Sequence, residues 1–186
     1  MALKLPRTIR LDPSDTLVFE RPADPGEWAV SGSFLFWDTE LAALAGKARA
    51  AFRAGFVGVR SLGFSTLVVV TVALPEERDA AIAELATHIR DKFGAPDWEA
   101  ACAAAREEVD FASSLCQHDV NTILAMHRTV EGGEIREQFR ALTLREAAPG
   151  DRLHAHARAF EFIEVEGEPE PGERIDLVGL ADRKPA

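Results

Sequence analysis

The stretch that decides the fold is residues 62–144, which open with LGFSTLVVVTVAL (62–74) and close with a hairpin-like reversal at Gly132-Gly133. Residues 64–74 are dense in β-branched side chains, which favour a buried, pleated strand. Residues 75–93 and 97–116 then carry apolar side chains at helical spacing. This order of elements predicts an α+β fold, in which a mainly antiparallel β-sheet packs against two or three helices.

The two helical segments also carry recognisable ends. Pro75 suits the first turn of a helix, and Gly94 is placed to end it. Asp97 is a candidate N-cap for the second helix. The predicted buried stripes are Ile82, Leu85, Ile89 and Phe93 in the first helix, and Trp98, Cys102, Ala105, Val109, Ala112 and Cys116 in the second. Because a tight turn joins them, we expect both helices to cover one face of the sheet.

The segment before residue 62 is less regular. Residues 8–11 and 16–21 are predicted to be short strands, and residues 28–37 to be a strand that is covered on both faces. A helix is predicted over residues 41–52, ended by Gly55 in the left-handed conformation.

Residues 122–144 admit two interpretations. The favoured one is a β-hairpin around Gly132-Gly133, because paired glycines suit a two-residue turn. In the other, residues 134–147 form a helix, because their apolar side chains also fit a period of 3.6 residues.

The hairpin would create a small cationic surface in an acidic protein. Its register would place Arg136 and Arg140 diagonally beside His127, all on one face of the sheet. Arginine recognises carboxylates and phosphates through its fork of planar donors. We therefore predict an anion-binding site at His127, Arg136 and Arg140. The alternative is a solvated sheet face whose arginines meet neighbouring carboxylates, and a helix over residues 134–147 would remove the site.

A second candidate site lies at His154 and His156. In an extended segment, residues two apart point the same way, so both imidazoles would project from one face. Imidazole nitrogens are common ligands of divalent metals, but no third ligand stands at a diagnostic spacing. Two surface histidines before a strand are the alternative. We expect no cofactor, except a divalent metal if these two histidines bind one.

Length and charge restrict the organisation of the chain and its partners. The 186 residues suffice for one α+β domain over residues 1–165, with an acidic, proline- and glycine-rich loop and tail over residues 166–186 associated with it. The net charge of −10 argues against nucleic acid or an anionic membrane as a partner, since both require a basic face. The N-terminus lacks the apolar core of a secretion signal, so we expect a soluble, cytoplasmic protein.

Four segments resemble an uncharacterised family of small bacterial proteins. They are PRTIRLDPSD (6–15), GSFLFWD (32–38), AFRAGF (51–56) and HRTVEGGEIR (127–136). The family is known as a domain of unknown function. The resemblance implies a soluble bacterial protein and supplies no catalytic residue to carry over.

These observations leave three functional hypotheses. The favoured one is a non-catalytic protein that binds a small anionic molecule or serves as an accessory protein, compatible with a homodimer or a protein partner. The second is a metal-dependent enzyme that acts on a small molecule through His154 and His156. The third is a structural subunit of a larger complex. Since no catalytic spacing is recognisable, the sequence favours a protein that is not an enzyme.

Overall fold

The computed structural model describes residues 2–144 and 162–164, and within them two antiparallel sheets form the framework. The larger sheet has the strand order β1-β5-β6-β7-β8. Its strands are β1 (Lys4–Ile9), β5 (Leu67–Val72), β6 (Ile123–Glu131), β7 (Glu134–Leu144) and β8 (Phe162–Glu164). The smaller sheet has the order β2-β3-β4 and consists of β2 (Ala29–Val30), β3 (Phe56–Gly58) and β4 (Phe64–Ser65).

Helices pack against these strands. They are α1 (Ser14–Val18), α2 (Gly46–Ala54), α3 (Pro75–Phe93) and α4 (Trp98–Leu115), with short 3-10 turns at Ser33–Phe36 and Leu41–Ala43. The long helices α3 and α4 contact each other, α4 contacts β1 and β2, and α2 contacts β6. The predicted α+β fold is therefore confirmed.

Both long helices begin and end as the sequence predicts. The Glu77 carboxylate accepts a hydrogen bond from the Leu74 backbone N–H at 2.9 Å, and Gly94 follows α3 with a φ of 72°. Asp97 caps α4 by accepting from the Ala100 N–H at 2.8 Å. Most of the predicted stripes are buried in one core cluster, in which Leu85 is fully buried, but Phe93 and Trp98 at the facing helix ends are 42% and 44% exposed, and Cys116 belongs to a second cluster.

The hairpin between β6 and β7 is present, and the helical alternative is wrong over the described residues 134–144. Gly132 and Gly133 have φ angles of 61° and 86°, the positive values that a type I′ turn requires at both central positions. The register runs from Glu131 opposite Glu134 to Ile123 opposite Leu142. It pairs His127 with Gln138, so the face assignment made from sequence holds along the hairpin.

The strand predicted over residues 16–21 is wrong, and the one predicted over residues 28–37 is present only in part. Ser14–Val18 is a helical turn, whose buried Asp15 accepts a hydrogen bond from the Thr66 hydroxyl at 2.6 Å. The strand predicted over residues 28–37 is limited to Ala29–Val30. Gly32 has a φ of 80° and turns the chain into a 3-10 helix, and a Cβ there would collide with Val57.

Gly55 follows α2, but not in the predicted left-handed conformation. Its φ of −94° and ψ of 114° are extended. A Cβ at this position would lie 2.6 Å from Cδ1 of Phe64 and 2.7 Å from the Ala51 carbonyl oxygen. Position 55 thus requires glycine because Phe64 and the Ala51 carbonyl leave no room for a Cβ, and not because φ is positive.

Some predictions fall on residues that the structure does not describe. His154, His156 and the acidic tail over 166–186 lie outside the described ranges. Within those ranges, every helix is too short or too polar to cross a lipid bilayer.

Candidate functional site

The two faces of the β6–β7 hairpin differ in burial. Leu124 and Met126 are buried on the face that points into the protein, and Arg128 continues this face with an exposed fraction of 1%. His127 and Thr129 lie on the opposite face and are half-buried. A guanidinium therefore occupies a position where the strand pattern predicts an apolar side chain.

Arg128 joins three parts of the chain through its hydrogen bonds. Its Nε donates to Oε1 of Glu137 at 2.7 Å, and its Nη1 donates to the Phe52 carbonyl at 2.8 Å. Its Nη2 donates to the Ser31 carbonyl. Because Phe52 lies in the last turn of α2, its carbonyl has no partner within that helix. Arg128 thus caps α2 and fixes it to β6.

A second carboxyl group, Glu108 on α4, shares this buried environment. Burial raises the pKa of Glu108 to about 7, and the charge of Glu137 acts in the same direction. A hydrogen bond from the Gly32 backbone and the charge of Arg128 oppose the rise. Its Oε2 is buried without a hydrogen-bond partner among the described residues. Arg128 is therefore the cation that stabilises the charged forms of both Glu137 and Glu108. With a pKa of about 7, Glu108 is about half protonated at neutral pH.

A cleft of about 430 Å³ opens between α2 and the strand β6, beside this cluster. Its polar lining consists of Arg49, Arg53, Arg128 and Thr129. Its apolar lining consists of Leu41, Ala42, Leu44, Phe52 and Val130. The cleft thus combines cationic groups with an apolar wall.

The cations come mainly from α2, whose sequence GKARAAFRA (46–54) carries Lys47, Arg49 and Arg53 and no acidic residue. Arg53 Nη2 donates to Nε2 of His127 at 3.2 Å, so this imidazole is an acceptor at Nε2. Within residues 2–144 and 162–164, neither Arg49 nor Arg53 forms an ion pair with a carboxylate. These two guanidinium groups are available to an anion.

Of the anion-binding residues predicted from the sequence, only His127 contacts the cations of this cleft. His127 contacts Arg53, a residue that the sequence analysis did not connect with it. Arg136 and Arg140 are exposed and lie on β7, each diagonally opposite His127 on β6. Arg136 lies 3.9 Å from a carboxylate oxygen of Glu131 and 3.9 Å from one of Glu134, which matches the alternative of a solvated sheet face.

The sequence analysis missed Arg49, Arg53 and Arg128. A usable signal for the first two was a short helix with three cations and no acid in a chain of net charge −10. A signal for Arg128 was its place on the apolar parity of β6, directly opposite Glu137.

The described residues contain no group of three or more His, Cys, Asp or Glu side chains that could hold a metal ion. The predicted metal ligands His154 and His156 lie outside those residues, so this metal site stays a prediction.

Burial raises the pKa of the Cys116 thiol to about 12, which makes this cysteine an unreactive part of the core.

Comparisons with known proteins agree with the resemblance noted in the sequence. No curated protein and no solved structure matches the chain. The model of one family, described as a family of unknown function (DUF6505), matches residues 1–160. The chain therefore belongs to this uncharacterised family, DUF6505.

Proposed function

We propose that this protein binds a small oxyanion, a carboxylate or a phosphate, in the cleft between α2 and β6, without transforming it. The observation that carries the proposal is the pair Arg49 and Arg53. Both line the cleft and both lack a carboxylate partner within the described residues, although the chain is strongly acidic. Guanidinium groups are suited to carboxylate and phosphate oxygens.

The spacing of the two arginines costs α2 a small amount of stability. Like charges four residues apart on a helix destabilise it by about 0.2–0.5 kcal/mol. Arg53 in the last turn of α2 is favoured by the helix dipole, but Arg49 lies further from the helix end. A bound oxyanion would neutralise both charges and remove their repulsion.

The lining of the cleft also favours binding over catalysis. Its exposed cationic groups are the guanidinium groups of Arg49 and Arg53, which with the Thr129 hydroxyl can donate to an anion, whereas Arg128 is engaged by Glu137 and two carbonyls. The nearby carboxylate of Glu137 is engaged by Arg128, and 14% of its side chain is exposed. The described lining therefore offers recognition groups and no general base.

Calorimetric titration with inorganic phosphate at low ionic strength tests this proposal. We expect Arg49→Gln/Arg53→Gln to weaken binding at least tenfold, because a hydrogen bond to a charged group contributes roughly 1.5–3 kcal/mol. Arg106→Gln is the matched control, because Arg106 is also an exposed arginine on a helix but lies outside the cleft lining.

The same titration distinguishes the two candidate positions for the anion. If Arg136→Gln/Arg140→Gln weakens binding and the α2 pair does not, the anion binds at the hairpin face with His127, as the sequence alone predicted. If neither pair changes the affinity, or if neither phosphate nor a small carboxylate such as acetate binds, the proposed function is wrong.

A further inference from the structure

We propose, resting on the oxyanion site above, that the ligand is an organic anion with a short apolar group. Its oxyanion would contact Arg49 and Arg53, and its apolar group would lie against the apolar part of the cleft lining. This assigns the chemical class of the ligand.

The apolar wall is the first observation behind this inference. Val130 on β6 has an exposed fraction of 44%, while Leu41 and Leu44 are half-buried and line the same cleft. Phe52 is 6% exposed and also lines the cleft. Apolar side chains clustered beside charged ones in a concave surface are typical of small-molecule sites.

The size and charge of the surroundings are the second observation. A volume of about 430 Å³ lies in the lower part of the usual range for small-ligand pockets, roughly 300–1,000 Å³. The cleft lining offers two exposed cations, Arg49 and Arg53, which balance the charge of a small anion but not that of a longer polyanion. A compact monoanion fits both features better than a polyphosphate or a nucleic acid strand.

The same lining explains why both ends of the ligand would matter. An inorganic anion would satisfy the guanidinium groups but leave Leu44 and Val130 in contact with water. Each methylene removed from water contributes a free energy that corresponds to about a three- to fourfold gain in affinity. An anion that carries an alkyl group would therefore bind more tightly than an anion of the same charge without one.

Titration with acetate, butyrate and hexanoate tests the inference, with inorganic phosphate as the reference anion. We expect Kd to fall about threefold per added methylene until the cleft is filled. Leu44→Asn/Val130→Thr should abolish this gain, so that hexanoate binds this variant no tighter than acetate does. Val72→Thr is the matched control, because Val72 on β5 is 48% exposed and lies outside this cleft.

The outcomes separate this inference from the proposed function. If phosphate binds and hexanoate binds no tighter than acetate, the apolar ligand class is wrong and the oxyanion site stands. If the gain per methylene persists in Leu44→Asn/Val130→Thr, the apolar groups bind elsewhere and the inference is also wrong. If none of the four anions binds, both proposals are wrong. Thermal melts of each variant confirm that the protein is folded.

Discussion

Replacing Arg128 with methionine is expected to destabilise the protein by about 3–5 kcal/mol, because removing one partner of a buried ion pair leaves the other charge uncompensated. Glu137 would lose its partner at 2.7 Å, and the Phe52 and Ser31 carbonyls would lose their donor. Since these carbonyls belong to α2 and to the segment before the first 3-10 turn, we expect α2 to detach from β6. The measurement is the free energy of unfolding from urea titration.

Two further variants show whether the buried charge is responsible. Arg136→Met removes an arginine whose side chain is 61% exposed and should change the stability by less than about 0.5 kcal/mol. Arg128→Met/Glu137→Leu removes both charges and should recover part of the loss, although the carbonyls stay without a donor. A loss below about 1 kcal/mol for Arg128→Met would show that Arg128 does not hold α2 in place.

The second large effect concerns Glu108. Glu108→Gln is expected to stabilise the protein at pH 8 by up to about 3 kcal/mol and to leave it nearly unchanged at pH 4.5, because the pKa of Glu108 rises from 4.5 to about 7 on folding. The unpartnered Oε2 explains the cost of the charge, since a buried carboxylate oxygen without a donor loses its hydration.

The sign follows from proton binding. Between pH 4.5 and about 7, the folded protein holds a proton on Glu108 that the unfolded chain has released. The stability contributed by this group is therefore complete below pH 4.5 and falls as the pH rises towards 7. Glutamine cannot ionise, so the variant should lack this part of the pH dependence.

Urea midpoints of the parent and Glu108→Gln at pH 4.5, 6 and 8 measure the difference. Glu107→Gln is the control, because Glu107 is the exposed neighbour on α4. Its effect should not depend on pH to the same extent. An equal effect of Glu108→Gln at pH 4.5 and pH 8 would mean that the carboxyl group ionises normally in the folded protein.

Local chemistry explains why the hairpin could be predicted from the sequence. Two adjacent glycines suit a type I′ turn, and a two-residue turn fixes the pairing of every residue beyond it. The prediction that His127, Arg136 and Arg140 share one face of the sheet followed from that turn alone. The long helices were predictable for the same reason, since Pro75, Gly94 and Asp97 act on their own backbone neighbours.

The cleft could not be predicted because it depends on long-range packing. Arg53 and His127 are far apart in sequence and meet only because α2 lies against β6. That docking in turn depends on Arg128 reaching the end of α2, and on the backbone of Gly55 approaching Phe64 closely. The hairpin turn sets Arg128 opposite Glu137, but local sequence does not show which helix covers them.

A crystal structure of the protein with 4-bromobenzoate tests the central claim most directly, because the bromine atom locates the ligand by its anomalous signal. We predict a bromine peak against Leu44 and Val130, with the carboxylate within hydrogen-bonding distance of Arg49 or Arg53. A peak elsewhere on the protein, with no ligand density between α2 and β6, would contradict the assignment of this cleft as the anion-binding site.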